Sequence, residues 1–164
     1  MSEGLVYMRP LRLAGVSVAS AGTDDVLHAW SRLNEWIIRK SLGREVEIGY
    51  GLVGVGGSGP AYTACIELPD CVSSVEADEL ARASLEGGAY IRIRFQGPVS
   101  DVGQKLEDMR GQLNLAEHTR LDAGRPLVSV FLDVRMVKTG CDVRSNLLVP
   151  VCGNEVSKSP RKAA

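Results

Sequence analysis

The sequence predicts an α+β domain in which a strand–helix–strand–strand unit occurs twice, the copies sharing one mainly antiparallel sheet with both helices on one face. Three observations predict it. Apolar residues recur at i, i+4, i+7 and i+11 in two separate segments, Val26, Trp30, Leu33, Ile37 and Val102, Leu106, Met109, Leu113, the spacing of one face of an α-helix. A glycine precedes each helix, Gly22 and Gly97, and two short apolar runs follow each. The runs resemble one another in order: Leu52-Val53-Gly54-Val55 with Leu127-Val128-Ser129-Val130, and Ile66-Glu67-Leu68-Pro69 with Leu147-Leu148-Val149-Pro150. One helix over three strands encloses a thin core, whereas two joined copies make a stable two-layer unit.

Along the chain, residues 6–19 are rich in β-branched and apolar side chains and are broken by Pro10, so they read as an edge or bulged strand. Thr23 or Asp24 is placed to cap the first helix, and Gly43 to end it in a left-handed conformation. Residues 52–55 and 61–68 form a hairpin around Gly56-Gly57-Ser58-Gly59-Pro60. Residues 70–88 are acidic and small and read as a connector. Ile91, Ile93 and Phe95 alternate with Arg92 and Arg94, which predicts a strand with one apolar face, stopped by Gln96-Gly97-Pro98. After the second helix, residues 127–136 and 143–151 are the last two strands, with a turn at Lys138-Thr139-Gly140. The pseudo-repeats span about 5–69 and 88–151. Residues 1–153 read as one domain and 154–164, with Lys158, Arg161 and Lys162, as a disordered basic tail.

A chain of 164 residues with 45% apolar and 24% charged residues suits a single globular core. Its net charge of −1 supplies no field to gather nucleic acid or anionic lipid. The first ten residues lack the pattern of an export signal and no stretch is apolar enough for a membrane span, so a cytoplasmic location is expected. Cys65, Cys71, Cys141 and Cys152 form no C-x-x-C pair, and His28 and His118 are isolated. No metal site is expected, no cofactor, and no nucleophile–base pair. Gly54-Val55-Gly56-Gly57-Ser58-Gly59 fits G-x-G-x-x-G, but Pro60 and a strand follow rather than the helix that a dinucleotide requires.

Further cues are Trp30-Ser31-Arg32-Leu33-Asn34-Glu35-Trp36 on the first helix, Tyr62-Thr63-Ala64-Cys65-Ile66-Glu67-Leu68 on a strand, Gly87-Gly88-Ala89-Tyr90, Phe95-Gln96-Gly97-Pro98, and Leu148-Val149-Pro150-Val151. In this order, and with the duplication, the chain from about Val6 to Val151 resembles a stand-alone GyrI-like domain, the effector- or multidrug-binding module also attached to AraC-type and MerR-type regulators. The resemblance implies a ligand groove between the two halves, lined by aromatic rings and holding a carboxylate that receives hydrophobic cations. That carboxylate belongs to a Pro-x-x-Glu-x-Tyr stretch. Here the match is Pro126-Leu127-Val128-Ser129-Val130-Phe131, with Ser129 in place of Glu and Phe131 in place of Tyr. A serine gives a neutral hydrogen bond where a buried carboxylate would pair with a cation, so a neutral aromatic or amphipathic ligand joins cationic ones as a candidate.

The candidate ligand-binding residues are Trp36, Tyr50, Tyr62, Glu67, Tyr90, Ser129 and Phe131. Trp30 lies on the apolar stripe and is expected in the core, with Trp36 beside it at a pocket rim. Glu67 shares a strand face with Thr63 and Cys65, and would replace the absent carboxylate if that face lined the groove; the alternative is an exposed sheet residue. Binding for sequestration or sensing is the leading expectation. Two others stay open: a hydrolase acting on strained-ring natural products, with Glu67 as its acid or base, and a protein-interaction module such as a gyrase inhibitor. The oligomeric state is open.

Overall fold

The computed structural model describes residues 4–54, 59–73, 77–112 and 119–153. The fold is α+β, as the periodicities predict. Its strands are β1 (Gly4–Met8), β2 (Leu11–Val18), β3 (Gly49–Val53), β4 (Tyr62–Glu67), β5 (Ala81–Leu85), β6 (Gly88–Pro98), β7 (Thr119–Leu121), β8 (Leu127–Phe131) and β9 (Asp142–Gly153), with helices α1 (Thr23–Arg39) and α2 (Val102–Gln112). All pairings are antiparallel, in the order β1-β6-β9-β8-β3-β4-β2-β5, with β7 added beside the end of β9.

The two halves meet where β3 pairs β8, in a register centred on Gly51↔Ser129. On either side of this seam the order repeats: β3-β4-β2 outward in one half, β8-β9-β6 in the other. α1 packs on β2 and β4, and α2 on β6 and β9, so each helix covers its own half. Matching the centres of β3 and β8 makes Gly51 the counterpart of Ser129. The sequence match of Leu52 to Leu127 is therefore displaced by an odd number of residues. It fails for a physical reason, since Leu127 and Val53 pack under the helices while Leu52 packs on the opposite face, and an odd slip exchanges the faces.

The ends of the strand order are also linked. Only Arg9 and Pro10 separate β1 from β2, and only Glu86 and Gly87 separate β5 from β6. The pairing Gly4↔Arg92 to Met8↔Gly88 resumes in unbroken register as Leu11↔Leu85 to Gly15↔Ala81. Two long bent strands thus join the ends of the order and leave the sheet with an inner and an outer face. Pro10, with no N–H to donate, sits at the bend. The inner face is filled by Leu11, Leu13, Tyr50, Leu52, Cys65, Leu85, Tyr90, Val128 and Leu148. The outer face carries the larger core under the helices, including Trp30, Leu33, Trp36, Leu106, Phe131 and Leu147.

Several local expectations change. β5 lies inside the segment read as a connector, and β7 was not anticipated. The strand expected over 127–136 ends at Phe131, and Val134–Met136 is a 3-10 turn capped by Asp133. β6 continues through Gly97 to Pro98 because Asp142 and Val143 pair with its end. α1 begins after Gly22 without a side-chain cap. It ends at Arg39, and Ser41, not Gly43, takes the left-handed conformation at φ 56°. Leu113, His118, most of the 54–59 glycine motif and the expected tail lie outside the described residues. No described helix is long and apolar enough to cross a membrane.

A candidate ligand cleft over the seam

β3 reads Gly-Tyr-Gly-Leu-Val, so its outer face offers two glycines where a strand normally carries side chains. A Cβ at Gly49 would sit 2.8 Å from the Trp30 ring, and one at Gly51 would collide with the hydroxyls of Tyr62 and Ser129. Both glycines are therefore required by what lies above them. Trp30, fully buried on α1, reaches the seam, donates from Nε1 to Tyr62 Oη at 2.8 Å, and meets Phe131 edge to face at 5.2 Å between centroids. Ser129 Oγ donates to the Gly51 carbonyl at 3.5 Å.

Above this floor, between the starts of α1 and α2, lies a cleft of about 330 Å³, within the range of small-molecule pockets. Tyr62, Ser129, Phe131 and Leu127 form its base, Val26, Leu27 and Leu106 its walls, and Gly22, Thr23, Ser100 and Gly103 its rim. Glu107 is the one charged side chain among the described residues lining it. That carboxylate is half-exposed and pairs with Arg110 at 2.6 Å. Burial pushes the Tyr62 phenol well above its ordinary range, and the hydrogen bond from Trp30 partly opposes this. The base of the cleft is thus neutral and hydrogen-bonding.

Of the seven candidate residues, the structure brings Tyr62, Ser129 and Phe131 together in this cleft and leaves four elsewhere. Trp36 is buried under α1 with no partner for its Nε1 among the described residues, because the packed stripe of α1 is wide enough to include it beside Leu33 and Ile37. Tyr50 and Tyr90 fill the inner face, where burial raises both phenols. Glu67 shares the strand face of Cys65, opposite the helices, and binds Arg9 through both oxygens at 2.9 Å. It cannot supply a carboxylate to the cleft. The rim residues at the helix starts were missed. Their signal was the equivalent placement of Thr23 and Val99, each three residues before the matched Val26 and Val102.

Outside the cleft, Arg125 is buried over the Tyr90 ring at 4.7 Å, pairs with Asp122, and donates to the carbonyls of Ala89 and Val151. Its hydrogen bond holds the Asp122 carboxyl below its usual range. This cluster ties the loop before β8 to β6 and β9. No group of metal-ligating side chains occurs among the described residues.

Several solved structures resemble this fold. One is SAV2435 bound to tetraphenylphosphonium, at a TM-score of 0.55 and 13% identity over 91% of this chain and 94% of that one. A hydrolase from Listeria innocua gives a TM-score of 0.55 at 13% identity, covering 92% and 91%. A protein of Staphylococcus aureus MU50, put forward as a bacterial transcription regulation protein, gives 0.54 at 13% identity, covering 92% and 99%. At these identities the likeness establishes a shared fold. No protein-family model matches the chain, and no curated protein matches it.

Proposed function

We propose that this chain is a GyrI-like binding domain, spanning the residues up to 153, that takes a small aromatic or amphipathic molecule into the cleft over the β3–β8 seam, for sequestration or sensing. The observation that carries this reading is the cleft itself, which opens between the two halves where the GyrI-like resemblance expects its ligand, with Tyr62, Ser129 and Phe131 at its base. The fold neighbour bound to tetraphenylphosphonium supports an aromatic guest. The chemistry of the base favours a guest of no net charge. A cation entering here loses water and meets hydroxyls, with no buried carboxylate among the described lining residues to offset that loss.

Thermal unfolding tests this. A guest at a hundredfold excess over its Kd adds about 2.7 kcal/mol, a rise of roughly 5–10 °C for a domain of this size. We expect 9-fluorenone to give such a rise and Gly103→Trp to abolish it. Gly103 lines the cleft and has open space where its side chain would grow, so the indole blocks the cleft without disturbing the core. An unchanged melting temperature across a panel of planar neutral and cationic aromatics would remove the proposal.

A further inference from the structure

Resting on that reading, the hydrogen bonds beneath the cleft narrow the class of guest. An indole N–H can only donate, so Trp30 Nε1 fixes the Tyr62 oxygen as its acceptor at 2.8 Å. The Tyr62 and Ser129 hydroxyls both lie over Gly51, and the Tyr62 proton takes no part in the bond with Trp30. The Ser129 O–H finds the Gly51 carbonyl only at 3.5 Å, the outer limit for a hydroxyl bond. Ser129 therefore presents a buried O–H with a weak partner at the base of the cleft, beside the Tyr62 hydroxyl.

We infer that the cleft selects ring molecules carrying a hydrogen-bond acceptor, such as a ring ketone, ether or aromatic nitrogen, over hydrocarbons of the same shape and over cations. The Ser129 O–H leaves its long bond to Gly51 and donates to the guest. Glu107, the one charge among the described lining residues, is half-exposed and already paired with Arg110.

The test compares 9-fluorenone with fluorene, which replaces the carbonyl by CH2, and with tetraphenylphosphonium. A net hydrogen bond of ordinary strength makes fluorenone about threefold to tenfold tighter than fluorene. Ser129→Ala should bring the two hydrocarbon-framed guests to equal affinity, and Ser129→Glu should reverse the order in favour of tetraphenylphosphonium. Because a charge buried at 129 can prevent folding, the carbonyl stretch of fluorenone bound to the unaltered protein gives a second readout. It should move to lower frequency than in hexane. Equal binding of fluorenone and fluorene, or a bound carbonyl with its hexane frequency, would overturn this inference and leave the cleft reading standing. Failure of all three guests to bind would remove both.

Discussion

On the inner side of the seam, Tyr50 and Leu52 of β3 pack with Val128 and Leu148 in one buried cluster. On the outer side the same strand presents Gly49 and Gly51, and the vacated space holds Trp30, Tyr62 and Ser129 with a cleft above them. Adjacent residues of one strand thus build a filled face and an open one. The difference lies in side-chain size, since a strand alternates its faces residue by residue. It also lies in polarity. The filled face buries Cys65 and the two tyrosines among aliphatic groups, whereas the open face buries the Trp30 N–H with the Tyr62 and Ser129 hydroxyls. A binding site here arises from leaving out side chains on one parity of one strand.

The sharpest way to break the comparison is to remove the group that spans the gap. Trp30→Ala should cost about 3–5 kcal/mol in urea unfolding, from lost burial plus a cavity, and should also abolish guest binding. Leu148→Ala on the filled face should cost about 2–5 kcal/mol yet leave guest affinity within twofold. If both variants lost binding equally, the two faces would not be functionally distinct.

The filled face has its own signature in alkali. Burial pushes the Cys65 thiol up to about 12. A folded-state pKa raised above the unfolded value means that stability is fully present below about pH 9 and falls as pH rises from 9 towards 12, by up to about 1.4 kcal/mol per pH unit. Tyr62 shifts in the same direction and adds to the fall at the upper end of that range. Cys65→Ala should flatten the slope between pH 9 and 10.5. An unchanged slope would show that the thiol is not buried as described.

Smaller effects sharpen the contrast further. Gly51→Ala places a methyl group against the Tyr62 and Ser129 hydroxyls and should cost about 1–3 kcal/mol through overpacking, with a matching loss of guest affinity. Glu67→Gln, across the sheet, removes an exposed ion pair with Arg9 and should change stability by less than about 1 kcal/mol and guest affinity not at all. A clear loss of affinity in that variant would return Glu67 to the site.

Much of this was legible in the sequence, and the misses have physical causes. The helices announced themselves through their apolar stripes, and the duplication through two helices of equal spacing. β5 was hidden because Ala81-Arg82-Ala83-Ser84-Leu85 has no β-branched or aromatic residue; its strand form comes from pairing with β2, a tertiary cause that overrides local preference. The continuity of β1 with β2 was legible as a strand over residues 6–19 interrupted by Pro10, which breaks the ladder but not the register. At the site, alternation told which residues of β4 share a face but not which face the helices cover. Tyr62 and Glu67 therefore stood as equal candidates, and only the packing of α1 onto β4 separates them. Gly49 and Gly51 escaped notice because a glycine in a strand signals close approach without saying what approaches.

The central claim is that a guest sits on the outer face of the seam, in contact with Tyr62 and Ser129 next to Trp30. The chain has two tryptophans: Trp30, bonded to Tyr62 at the base of the cleft, and Trp36, buried on α1 without a hydrogen-bond partner among the described residues. Their indole N–H signals, assigned with Trp36→Phe, can be followed by proton–nitrogen NMR as 9-fluorenone is added. The account predicts that the Trp30 signal moves in a saturable way while that of Trp36 stays within its linewidth. Saturable binding that leaves Trp30 unmoved would place the guest elsewhere and contradict it.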